Sequence, residues 1–177
     1  MRAWTDLSAI PMPDRVARLG RDVRGYPIPF FALIQDGGAV DFAVVDTVKW
    51  SAAMKGRRCG VCGEPLGVRV AFVGGERSIA NRLFSDLPMH LDCARYALQV
   101  CPFLAAPKFH YQNKVPDGTA VNLHVSEERP KRFGLGVTRG YRPTWLPGNQ
   151  VALEAAPFES IEWWVGGLQV DPAGNPT

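Results

Sequence analysis

The heaviest constraint on this chain is a set of four metal-type ligands in two close pairs. Cys59-Gly-Val-Cys62 is followed at once by Gly63, and His90-Leu-Asp-Cys93 places its cysteine thirty-one residues after Cys62. Two cysteines flanking two residues of a tight, glycine-containing turn can aim both sulfurs, and nearby backbone N–H groups, at one ion. Residues i and i+3 in the first turn of a helix share a face, so His90 and Cys93 can complete a tetrahedron. Thiolates there also lie near a helix N-terminus, where negative charge is favoured. The spacing predicts one zinc ion (Zn2+) held by Cys59, Cys62, His90 and Cys93, and any fold must bring both pairs to one point.

The same set predicts what the ion does. Three thiolates and one imidazole fill a tetrahedral sphere and leave no position for water, which is the pattern of a structural site with about −1 net charge. Arg57 and Arg58, immediately before the first cysteine, either offset that charge or reach a partner's phosphates. The alternative of a redox pair is the weaker one, because a redox C-x2-C opens a helix after a strand, and Gly63-Glu-Pro65 prevents a helix here. The remaining cysteine, Cys101, is eight residues past Cys93. That is about 12 Å along a helix, too far for the same ion, so Cys101 is expected to be a buried apolar filler.

Composition serves mainly to exclude. The chain has 177 residues, of which 46% are hydrophobic and 21% charged, a globular balance rather than a disordered or coiled-coil one. No apolar run approaches the roughly eighteen residues of a membrane span. Met1-Arg-Ala-Trp-Thr-Asp6 lacks the apolar core of a secretory signal, so a cytoplasmic location is expected. Eighteen glycines and fifteen prolines predict many turns and few long helices. The net charge of +3 is uneven: residues 146–177 hold Glu154, Glu159, Glu162 and Asp171 with no Lys or Arg, leaving +7 on the preceding 145. That asymmetry fits a basic face for nucleic acid or an acidic protein, and equally an ordinary solvated surface.

Along the chain, Pro13 and Asp14 open a short helical stretch with Arg15, Arg18 and Arg21 at helical spacing. Phe30 to Gln35, the turn Asp36-Gly-Gly38 and Val40 to Val45 read as a β-hairpin. Val48 to Met54 reads as a short helix ending near Gly56. Val68 to Val73 reads as a strand, with a weaker second strand before Pro88. Met89 to Val100 is the main helix, stopped by Pro102. Beyond it, Val121 to Val125 and Leu135 to Thr138 are strand candidates in a turn-rich stretch, Val151 to Val165 is a last pair of strands broken near Pro157, and 171–177 is a flexible, frayed tail. The expected fold class is α+β: a small single domain over 1–170, with short antiparallel strands and hairpins around a zinc module at about 57–104.

Ligand type, ligand order and expected local structure over about 57–101 resemble the treble-clef zinc finger, in which a two-cysteine knuckle, a β-hairpin and the first turn of a helix surround the ion. Treble clefs also carry the His-Asn-His nucleases, whose chemistry needs a base histidine in the hairpin. Between Cys62 and His90 there is none, and Asn81 beside Arg82 cannot activate water alone. A zinc deaminase needs H-x-E before P-C-x-x-C, and this chain has no H-x-E. His110 and His124 lie in the turn-rich stretch without a partner motif and read as ordinary histidines.

A longer set of strings resembles a family of proteins carried by bacteriophages, prophages and high-GC bacteria. It comprises Ile10-Pro-Met-Pro-Asp-Arg-Val-Ala-Arg-Leu19, Arg24-Gly-Tyr-Pro-Ile-Pro-Phe-Phe31, Asp41-Phe42, Lys49-Trp50, Cys59-Gly-Val-Cys-Gly-Glu-Pro-Leu66, Ala71-Phe-Val73, Asn81-Arg82, His90-Leu-Asp-Cys-Ala94, Cys101-Pro-Phe-Leu104, Val137-Thr-Arg-Gly-Tyr-Arg142 and Glu162-Trp-Trp164. The likeness covers about 10–165 as one unit. Where that family has Gly-Pro-Met-Cys before the Asn-Arg pair, this chain has Gly75-Glu-Arg-Ser78.

Two functions of different classes follow. In the first, a non-enzymatic, zinc-stabilised phage or prophage accessory protein in the bacterial host cell binds and modulates a host or defence protein, as an anti-defence inhibitor does. In the second, basic faces around Arg57 and Arg58 and around Lys131 and Arg132 bind nucleic acid, with Tyr111, Tyr141, Trp145 and Trp163 available to stack on bases. A degenerate His-Asn-His-type nuclease is a further alternative. The first is preferred, because +7 over 145 residues is weak for a dedicated nucleic-acid module.

Overall fold

The computed structural model describes residues 7–105 and 130–177. The strand candidate at 121–125, together with His110, Tyr111 and His124, lies outside the described residues. After a 3-10 turn at Leu7–Ala9, helix α1 (Asp14–Ala17) is entered through Pro13, whose extended backbone suits the position before a helix. The expected hairpin forms from β1 (Ala32–Ile34) and β2 (Val40–Val45). Helix α2 (Thr47–Lys55) follows, with the Asp46 carboxylate accepting from the Val48 and Lys49 N–H groups at 3.0 Å each, a side-chain cap. Next come β3 (Val70–Gly75), α3 (Glu76–Asn81), β4 (Leu83–Phe84), α4 (Leu91–Val100) and α5 (Pro102–Ala105). The described C-terminal part is all strand: β5 (Phe133–Thr138), β6 (Tyr141–Leu146), β7 (Gln150–Ala155), β8 (Ser160–Val165) and β9 (Leu168–Val170).

All pairing is antiparallel. The central sheet has the order β3-β5-β8-β9, a second sheet β4-β7-β6, and the hairpin stands as a third. One expectation needs correcting. The segment before Pro88 does not pair with β3: Leu83–Phe84 joins β7, while Met89 exchanges both backbone hydrogen bonds with Ala71 at 2.8 Å. Phe84 leaves the sheet because its ring belongs beside Phe72, 4.7 Å centroid to centroid, in the core behind it. The last pair of strands, broken near Pro157, forms as β7 and β8, and these enter different sheets. Buried Thr138 sits at that crossing, its hydroxyl 3.1 Å from the Ala156 carbonyl and 3.2 Å from that of Pro157.

Strands β3 and β5 of the central sheet are buried on both faces because two cores meet on them. Ala71 and Val73 of β3 and Phe133, Leu135 and Val137 of β5 pack with α4 on one side. Val70 and Phe72 face the other, where Ile79, Phe84, Leu87 and Leu153 lie. On that second side β5 presents Gly134 and Gly136: a Cβ on Gly136 would lie 2.4 Å from the Phe158 ring, and one on Gly134 would lie 2.4 Å from Ile79. The glycines let those side chains rest on bare backbone.

Charge follows the fold rather than the sequence order. Glu154 pairs with Arg142, Glu159 with Arg69 and Arg139, and Glu162 with Arg95. The acidic C-terminal stretch therefore neutralises arginines from the basic part. Residues 171–177 carry a turn in which Asp171 accepts from the Asn175 backbone N–H at 2.8 Å, and Pro176 bridges back to Val170.

Gly136→Val should cost about 3 kcal/mol or more through overpacking, read as a fall in denaturation midpoint. Val165→Thr, on a side chain 41% exposed at the end of β8, should stay within about 0.5 kcal/mol. Equal effects would contradict the packing described for β5.

Candidate metal centre

The knuckle is built by its backbone. The Cys59 N–H donates to the Glu64 carbonyl at 2.9 Å, the Gly63 N–H to Cys59 at 2.9 Å and the Leu66 N–H to Arg57 at 2.8 Å. Gly63 has φ +73°, the left-handed region that glycine enters without cost. A Cβ there would also strike the Phe30 ring at 2.6 Å. This turn points backbone N–H groups at sulfur: that of Cys62 at Cys59, and that of Glu64 at Cys62. Arg58 braces it from outside, donating to the Gly63 carbonyl at 2.9 Å.

The second pair arrives by sheet pairing. Met89 is held on Ala71, and the Gly60 N–H donates to the Pro88 carbonyl at 3.0 Å. His90, next in sequence, is therefore delivered beside the knuckle as the N-cap of α4, with Cys93 in the first turn behind it. The His90 backbone N–H lies 3.5 Å from the Cys59 sulfur.

The ligand atoms of Cys59, Cys62, His90 and Cys93 all lie within 4.8 Å of one another. The His90 Nδ1 is 3.4 Å from the Cys62 Sγ. Sulfur and nitrogen bound tetrahedrally to one ion at ordinary bond lengths are about 3.5 Å apart. The other ring nitrogen, Nε2, is 3.0 Å from the Pro65 carbonyl. As a donor to that oxygen it leaves Nδ1 as the lone-pair atom facing the cluster. Four donors of this kind at this spacing can hold a metal ion.

Without a cation the Cys59 and Cys62 thiols hold their protons more tightly than free thiols do. The Cys59 thiol is pushed up to about 11: its hydrogen bond with Cys62 lowers it, but Cys93 and burial raise it. The Cys62 thiol is raised further, by Cys59 first and by burial second. A divalent ion at the centre reverses this, since its charge favours the thiolates that the crowding opposes.

Cys101 is not part of the cluster. It is half-buried rather than buried, and it stands where α4 ends. The cations expected at a partner surface are largely engaged within the chain. Arg57 lies over the Tyr141 ring, 5.0 Å from its centroid. Arg132 pairs with Glu76 at 2.7 Å, donates to the Pro172 carbonyl at 2.7 Å and stacks 4.2 Å above Trp163. Lys131 is exposed, and Trp145 is 73% exposed at the end of β6. Sequence reasoning missed the Pro65 carbonyl that orients His90, since no side-chain pattern marks a backbone acceptor.

Among the described residues no helix is long and apolar enough to cross a membrane. Comparison with family models, curated proteins and solved structures finds no match to this chain.

Each thiol must release a proton to bind a cation, so affinity rises with pH for as long as the free thiols remain protonated. Between about pH 6 and 8 the logarithm of the apparent metal affinity should climb with a slope above roughly two, measured by competition with a chromophoric chelator. A flat profile would remove the thiols from the ligand set.

Proposed function

We propose that this centre binds one zinc ion and that the stretch from the knuckle through β3 to α4 is a treble-clef-type module. The observation that carries this reading is the Cys62–His90 separation of 3.4 Å, close to a tetrahedral edge, within a set of three sulfurs and one imidazole. Thiolate-rich sets with tetrahedral spacing select zinc. Such an ion is coordinatively closed, so it cannot activate a bound water. In this reading the metal joins parts of the fold and takes no part in a reaction.

The activity we propose is binding. The sequence resemblance supports an accessory protein of phage or prophage origin that engages a host or defence protein. The charge pattern supports a protein partner over nucleic acid. Arg58 is spent on the knuckle, and Arg132 on Glu76, Pro172 and Trp163. Neither arginine is then free to follow a phosphate backbone. A His-Asn-His mechanism is disfavoured for the same kind of reason: the Asn81 Oδ1 accepts from the Leu83 N–H at 3.0 Å, where it ends α3.

Metal analysis should return one zinc per chain. Cys62→Ser should abolish stoichiometric zinc and lower the melting temperature sharply, since a structural ion contributes several kcal/mol or more. Cys101→Ser should keep the ion. Affinity purification from a bacterial host lysate should retain one protein in high salt. Binding to DNA or RNA that collapses with salt, and no retained protein, would reverse the choice of partner.

A further inference from the structure

Helix α1 carries two arginines that reach opposite halves of the ligand set. Arg18 pairs with Glu64, two residues past Cys62, and Arg15 Nε lies 3.3 Å from the Asp92 Oδ2, between His90 and Cys93. Between the arginines, Val16 is 1% exposed and packs in the same core as Cys59 and Cys93. Both acids are tied to ligand backbone as well. The Glu64 carbonyl takes the Cys59 N–H at 2.9 Å, and the Asp92 Oδ1 takes the Cys93 N–H at 2.9 Å. One helical turn thus spans two segments whose cysteines are thirty-one residues apart.

The position of this turn matters because the ligand set is unevenly buried. Cys59 and Cys93 are 0% exposed, whereas Cys62 and His90 are half-buried. An ion leaving, or a chelator arriving, must pass Cys62 and His90. The Arg18–Glu64 pair stands beside them: Glu64 holds the Arg18 guanidinium above its ordinary range, and Cys62 adds to that. A single exposed ion pair contributes little to folding. Two on one turn, held in place by a buried side chain, are pre-organised to act together, because neither needs to find its partner from solution.

We propose that α1 is a clasp that sets how long the ion stays: Val16 anchors it, Arg15 and Arg18 hold the two ligand pairs together, and opening this turn precedes metal loss. Arg15 and Arg18 are positioning residues, with no contact to the ion. The inference rests on the zinc reading above. Exposed ion pairs are screened by salt, so metal release from the intact protein should accelerate as salt rises, with no mutation needed.

The test follows zinc transfer from the loaded, full-length protein to a chromophoric chelator, after its metal content has been measured. Arg15→Gln with Arg18→Gln should release zinc about fivefold to tenfold faster than the parent at low salt. That variant should lose most of the salt dependence while still binding one ion. Arg18→Glu should release fastest, and adding Glu64→Arg should restore slow release. A parent that holds no zinc would overturn the zinc reading, and the clasp with it. A parent that holds one ion but releases it at the variant's rate would overturn the clasp alone. If the variants do not fold, a salt-independent release rate in the parent is sufficient to overturn it.

Discussion

Everything in the middle of this molecule depends on one short piece of sheet pairing. Met89 and Ala71 exchange two backbone hydrogen bonds at 2.8 Å, and the Pro88 carbonyl accepts the Gly60 N–H at 3.0 Å. These contacts set the height at which α4 starts relative to the knuckle. They leave His90 and Cys93 facing Cys59 and Cys62. The pairing is itself supported from behind, since Ala71 and Val73 share a core with Ala94 and Leu98 of α4. Removing that apolar support would separate two ligand pairs that no covalent link joins.

The second organising constraint is charge. A segment with four acids and no base would repel itself as a separate unit. Folded, β7, β8 and the link between them place Glu154, Glu162 and Glu159 against arginines from β6, α4 and the turns before β3 and after β5. These are surface pairs and individually weak. They engage Arg69, Arg95, Arg139 and Arg142 within the chain.

Much of the local structure was legible in the sequence, and the reasons are local. Asp36-Gly-Gly38 supports a tight turn, and Gly63 permits the knuckle's left-handed residue. What was not legible were pairings between distant segments. Leu83–Phe84 looks like the second strand of a zinc hairpin by proximity, yet the stacking of Phe84 on Phe72 assigns it to another sheet. Nothing periodic distinguishes a strand that pairs with its neighbour from one that pairs with β7. The clasp was hidden for the same reason: Arg15 and Arg18 announce a helix face, while Glu64 and Asp92 read as ordinary polar residues.

The sequence by itself determined which four side chains can hold a metal ion, their order and the elements that carry them, because coordination chemistry and turn geometry act over a few residues. Only the tertiary structure decided which strands meet, which cations remain free, and that His90 is oriented by the Pro65 carbonyl at 3.0 Å. Those outcomes depend on side-chain volume, charge and backbone acceptors meeting between segments that local sequence pattern does not connect. Gly136 is an example: in the sequence it is one glycine among eighteen. In the fold it is the site where the Phe158 ring lies on bare backbone, and the two-sided burial of β5 requires it.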